Sequence, residues 1–93
     1  MTFKEFLAEL EVTKKTQNWE YDGPGIRCAE GQHCPITAVA YEKTGKNYDP
    51  GSWSPAAQEI GLSHTIAQRI VSAADGRKNE IREALKKATG LTK

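Results

Sequence analysis

Seven side chains in the C-terminal half are of the kinds that grip a nucleic acid. Ser63, His64, Thr65, Gln68 and Arg69 fall close together, and Arg77 and Lys78 follow them. Arginine can bond guanine through two atoms at once, glutamine can do the same to adenine, and cations hold phosphates. Cys28, His33, Cys34 and His64 offer the donor types that zinc prefers. Their spacing is poor. Five residues separate the cysteines, His33 abuts Cys34, and His64 is far along the chain. No metal and no cofactor is expected. Cys34 precedes Pro35 at an expected helix start, a position that lowers a thiol pKa. His33 is its sequence neighbour, however, and adjacent side chains seldom point at one another. No Asp or Asn is placed to orient that histidine, as a cysteine nucleophile requires. Thr44-Gly45-Lys46 lacks the other residues of a phosphate-binding loop. The expectation is a binding protein and not an enzyme.

The five polar residues belong to a stretch, Ala56 to Ile70, that resembles a helix–turn–helix. Ala57 is small where two helices cross, and Gly61 follows four residues later, where the backbone must leave helical geometry. Leu62 supplies the apolar residue after the turn, Ser63 the cap of the second helix, and Ile70 an anchor. The pattern departs at Ala67, where the motif carries a branched aliphatic residue; here the branched residue is Ile66. One residue is about 100° of helix rotation, so the sequence leaves open which face is presented. The resemblance, over residues 55–75, implies a DNA-binding regulator whose second helix enters the major groove, and such readers commonly form dimers on two half-sites. Arg82, Lys86 and Lys87 are further candidates for phosphate contact.

The charge balance gives this reading little help. The 93 residues carry 13 Lys and Arg against 12 Asp and Glu, a net charge of +1, well short of a strongly basic domain. The first 50 residues are net acidic and the remainder net basic. A second reading is therefore a protein-interaction module. Glu5, Glu9, Glu11, Glu20, Asp22 and Glu30 would meet a basic partner, and Trp19, Tyr21, Tyr41, Tyr48 and Trp53 are residues of the kind that dominate protein interfaces. Trp19 and Trp53 are expected in the core and Tyr48 at the surface.

These residues must be positioned by one small, mainly α domain spanning 1–93, with about five short helices and a two-stranded hairpin near residues 19–28. Thr2 and Glu5 have the spacing of a capping box for a helix over 3–12. Phe3, Phe6, Leu7 and Leu10 form its apolar face. Trp19 to Asp22 and Ile26 to Cys28 flank Gly23-Pro24-Gly25 and read as the hairpin. Pro35 opens a second helix that Gly45 stops. Ser54 is the expected cap of a third helix with Pro55 first in it. Ser63 caps a fourth, with Ile66, Ala67, Ile70, Val71 and Ala74 as its apolar stripe, broken at Asp75-Gly76. Asn79 is the expected cap of a fifth, stopped at Gly90. The opening MTFKEFLAEL is too short and too charged for a signal peptide, and no run is long enough to span a membrane. The expected location is the cytoplasm.

Three segments, Arg27-x6-Cys34-Pro35-Ile36, Ile70-Val71-x-Ala73-Ala74-Asp75-Gly76 and Ala88-x-Gly90-Leu91, make most of the chain resemble small bacterial and phage proteins. That resemblance brings no biochemical role. It implies a mobile-element accessory, either a regulator or a small inhibitor of a host or defence complex.

Overall fold

The computed structural model describes residues 1–22, 25–29, 34–49 and 51–91. Among these the order is α1 (Phe3–Thr13), β1 (Trp19–Asp22), β2 (Gly25–Cys28), α2 (Pro35–Thr44), α3 (Trp53–Glu59), α4 (His64–Ala74) and α5 (Arg82–Thr89). The protein is mainly helical with one small antiparallel sheet, as the residue pattern implies. No helix among the described residues is long and apolar enough to cross a membrane.

Local chemistry accounts for most boundaries. The Thr2 hydroxyl accepts from the Glu5 amide (3.1 Å), and the Glu5 carboxylate accepts from the Thr2 amide (2.8 Å). Hydrogen bonding of the carboxylate by the Thr2 backbone amide, and next by the Thr2 side chain, holds the Glu5 carboxyl below its ordinary pKa. α1 runs to Thr13, which is fully buried and donates its hydroxyl proton to the Leu10 carbonyl. The hairpin pairs Trp19 with Cys28, Glu20 with Arg27 and Tyr21 with Ile26; the expected Gly23-Pro24 turn lies outside the described residues. The Tyr21 hydroxyl donates to the Leu91 carbonyl (2.7 Å), tying the hairpin to the end of α5.

α2 is the central helix. Pro35 through Ala40 are all buried, so the N-terminal part of this helix is enclosed on every side, whereas Tyr41, Glu42 and Lys43 beyond it are exposed. Its Ile36 and, around it, Phe6, Leu10, Ile70 and Leu85 are the largest fully buried apolar side chains. Ile26, Ala57, Ala67 and Ala73 join the same cluster, so one core serves every helix and the hairpin.

Several expectations need correction. α3 begins at Trp53 with Ser52 at its N-cap, two residues ahead of the expected start. Proline is tolerated throughout the first turn, where amide protons lack helical partners, so Pro55 does not mark the first position. α5 begins at Arg82, after Asn79 has been used elsewhere. Tyr48 is partly buried against the core, whereas Trp19 and Trp53 sit at the core's edge and not within it.

Gly61 links α3 to α4 with φ +75°. A Cβ there would stand 3.4 Å from the Met1 nitrogen, whose ammonium donates to the Gly61 carbonyl (2.6 Å). Gly61→Ala should cost about 1–2 kcal/mol of stability, because a side chain disfavours left-handed backbone. Urea denaturation showing no loss would mean this turn relaxes freely.

Candidate nucleic-acid interface

The turn between α3 and α4 has a specific closing geometry. The Leu62 amide donates to the Ala57 carbonyl (2.9 Å) and the Gly61 amide to the Gln58 carbonyl (3.1 Å). This is the Schellman pattern, which satisfies orphan carbonyls and turns the chain sharply. Leu62 and Ala57 are both buried. Ser63 then caps α4, its hydroxyl accepting from the Ile66 amide (3.3 Å). Ala67, Ile70, Ala73 and Ala74 face the core, with Ile66 and Val71 at its margins. The departure at Ala67 is thereby resolved: the alanine is the inward residue, and its small size lets α4 approach its neighbours.

With that face buried, Ser63, His64, Thr65, Gln68 and Arg69 are all exposed. A second Schellman closure ends α4, the Gly76 amide donating to the Ala73 carbonyl and the Arg77 amide to the Ser72 carbonyl. It turns Arg77 and Lys78 back beside the helix. Asn79 fastens this return. Its side-chain nitrogen donates to the Arg69 carbonyl (2.9 Å), and its side-chain oxygen accepts from the Ile81 amide (3.1 Å). The outcome is an open groove of about 670 Å³ to which Thr65, Gln68, Arg69, Arg77 and Lys78 contribute, with Trp53 at one wall. Five of the seven expected residues therefore share one surface. Ser63 and His64 lie outside the groove lining, and the His64 ring stacks on Trp53 at 5.4 Å between centroids.

Ser72 also lines this groove, and the sequence reading passed over it. Helical spacing was the available signal, since Thr65, Gln68, Arg69 and Ser72 form an i, i+3, i+4, i+7 stripe. Trp53 gave no such signal, because it comes from a different helix.

The electrostatics are mixed. Arg69 is ion-paired with Glu80, and Asp75 lies along the groove. Among the described residues no ion pair engages Arg77 or Lys78. The Arg69–Glu80 pair is about half-exposed on both sides, and such pairs are worth only about 0–1 kcal/mol. An incoming phosphate or guanine can therefore exchange with Glu80 at small cost. The other expected phosphate contacts divide. Arg82 donates to the Gly76 carbonyl. Lys86 is almost fully buried, 3.6 Å from Glu83 and over the Tyr21 ring, which removes it from the surface. Lys87 is exposed near α1.

Several of the described acidic residues of the first half have partners within the protein. Glu9 pairs with Lys43 and Glu20 with Arg27, while Glu5 serves the α1 cap. Glu30 lies outside the described residues.

The described cysteine and histidine candidates are not gathered into one group. Cys28 is fully buried and donates to the Gln17 side-chain oxygen (2.8 Å). Cys34 is half-buried at the start of α2, beside Thr37. His64 is on the outer face of α4, and His33 lies outside the described residues. Among the described residues no three His, Cys, Asp or Glu side chains are grouped to hold a metal. Burial pushes the Cys34 thiol pKa up, and its hydrogen bonds with Thr37 only partly oppose this. That is the reverse of the lowered value expected from a helix start. Cys34 should accordingly react with iodoacetamide at neutral pH more slowly in the folded protein than in urea. Equal rates in the two states would contradict the burial. Because the folded value is raised, the associated stability is present below the unfolded pKa and is lost as pH climbs through the folded one.

Comparison of the chain with protein-family models, with curated proteins and with solved structures finds no match.

Proposed function

We propose that this protein binds duplex DNA, with the exposed face of α4 against the bases and Arg77 and Lys78 on the backbone. One observation carries the reading. The outer face of α4 is polar and uncovered for two turns, and the chain's return brings two unpaired cations alongside it. The side chains of Thr65 and Gln68 make no hydrogen bond among the described residues and are available to base edges. Ser63 is engaged in capping but retains its hydroxyl proton for a phosphate.

The test is fluorescence anisotropy against a random-sequence duplex pool, at low and at near-physiological salt. Binding that weakens steeply with salt and enriches a sequence on selection supports the reading. The double variant Gln68→Ala/Arg69→Ala should then lose about 1–3 kcal/mol per base contact removed. No binding at low salt removes DNA.

The second reading, a protein-interaction module, draws on a different feature of the same groove. Trp53 and Val71 give it an aromatic and apolar wall, and Asp75 and Glu80 temper its charge. A partner on this groove would bind with little dependence on salt, and Trp53→Ala would weaken it more than Arg77→Ala.

A further inference from the structure

Seven of the described glutamates, Glu5, Glu9, Glu20, Glu42, Glu59, Glu80 and Glu83, have a hydrogen-bond or ion-pair partner. Glu11 has none. It lies on α1 at the edge of a second groove, of about 300 Å³, between α1 and α5. Lys4, Leu7, Ala8 and Glu11 form one wall, and Ala84 and Lys87 stand on the other. Lys4 and Lys87, like Glu11, enter no ion pair among the described residues. Leu7 is half-buried and Ala8 exposed. Next to them on α1, Val12 is one of two large hydrophobic side chains among the described residues that stand substantially open to solvent.

The order of these residues is self-complementary. Lys4, Leu7, Ala8 and Glu11 follow i, i+3, i+4, i+7 spacing and share one face of α1. Two copies of α1 laid antiparallel, with a two-fold axis between residues 7 and 8, set Lys4 of each against Glu11 of the other. The same operation sets each Leu7 against the opposite Ala8, a large side chain into a small one. A two-fold interface must be self-complementary in this way. Ala8 beside the axis and Ala84 in the groove lining are small and permit close approach. We infer that the α1–α5 face is the contact between two copies of this chain. The pairing does not depend on what α4 binds.

Few residues face one another across the axis, so weak self-association, with a Kd of roughly 10 µM to 1 mM, is expected. Sedimentation velocity over that range should show the average mass rising from the 10.3 kDa monomer toward twice that value. Lys4→Glu and Glu11→Lys each place like charges opposite one another at both ends of the interface. Each variant alone should dimerise at least about tenfold more weakly. An equimolar mixture of the two should associate again, because antiparallel pairing then restores opposite charges at both ends. Both positions are exposed, and both changes complement the helix dipole, so folding should be unaffected, as circular dichroism would verify. A monomer at the highest concentration overturns the proposal. So does a dimer that ignores both single reversals, or a mixture that fails to associate.

Discussion

Ile70→Ala should destabilise the protein by about 2–5 kcal/mol, the range for truncating a buried isoleucine whose cavity does not collapse. Ile70 is fully buried on the inner face of α4. A domain of this size holds only about 5–15 kcal/mol in total, so the variant should lose a large fraction of its stability, read as a lower urea midpoint with an unchanged slope. Ile66→Ala is the informative comparison. Ile66 is only half-buried, and its truncation should cost clearly less. If the two costs were equal, or reversed, α4 would be rotated from the orientation described, and Ser63, His64, Thr65, Gln68 and Arg69 would not form the outer face. The stability experiment thus checks the candidate interface without any ligand. Ala67→Leu checks it from the other side: a larger residue at a fully buried alanine should cost about 1–3 kcal/mol through overpacking.

What could be read in the residues alone follows from the range of each interaction. Capping operates over three or four residues, and so α1, α2 and α4 were legible from Thr2 with Glu5, from Pro35 with Gly45, and from Ser63 with Gly76. The hairpin was legible because alternation and turn residues are equally local. Errors arose where a side chain's partner lies elsewhere in the chain. Asn79 has the chemistry of an N-cap, but it bonds the Arg69 carbonyl ten residues back, and α5 starts later as a consequence. Tyr48 sits among turn residues yet packs on the core. Lys86 belongs by type to the surface, and its burial beside Tyr21 and Glu83 depends on where the hairpin docks.

The candidate site divides in the same way. Its polar stripe was legible from helical spacing, as was the glycine that lets the chain turn ahead of it. The groove was not, because it needs the return of residues 75–79 along α4 and a wall from Trp53 on α3. Nor could the pairing of Arg69 with Glu80 be read from spacing. Residues eleven apart meet only because a Schellman closure folds the chain back between them. That pairing alters the functional expectation. It leaves Arg77 and Lys78, and not Arg69, as the cations with no internal partner at the groove.

Reversing those two charges should therefore have the larger effect on binding. Each phosphate contact releases condensed counterions, and at about 50 mM salt its loss weakens binding on the order of tenfold. On the proposed DNA reading, Arg77→Glu/Lys78→Glu removes two such contacts and adds repulsion, so affinity for the duplex pool should fall by roughly 100-fold or more. The slope of log affinity against log salt should become shallower by about 2. Both residues are exposed and outside the core, so the fold should survive, as an unchanged urea midpoint would verify. Net charge also changes, and a protein with a formal charge of only +1 is sensitive to that. Lys14→Glu/Lys15→Glu supplies the control, since it alters net charge equally at exposed positions after α1. A large loss with the first pair and a small one with the second places the contact at the end of α4. Equal losses would show that the duplex responds only to overall charge, and the groove beside α4 would then lose its claim to be the interface.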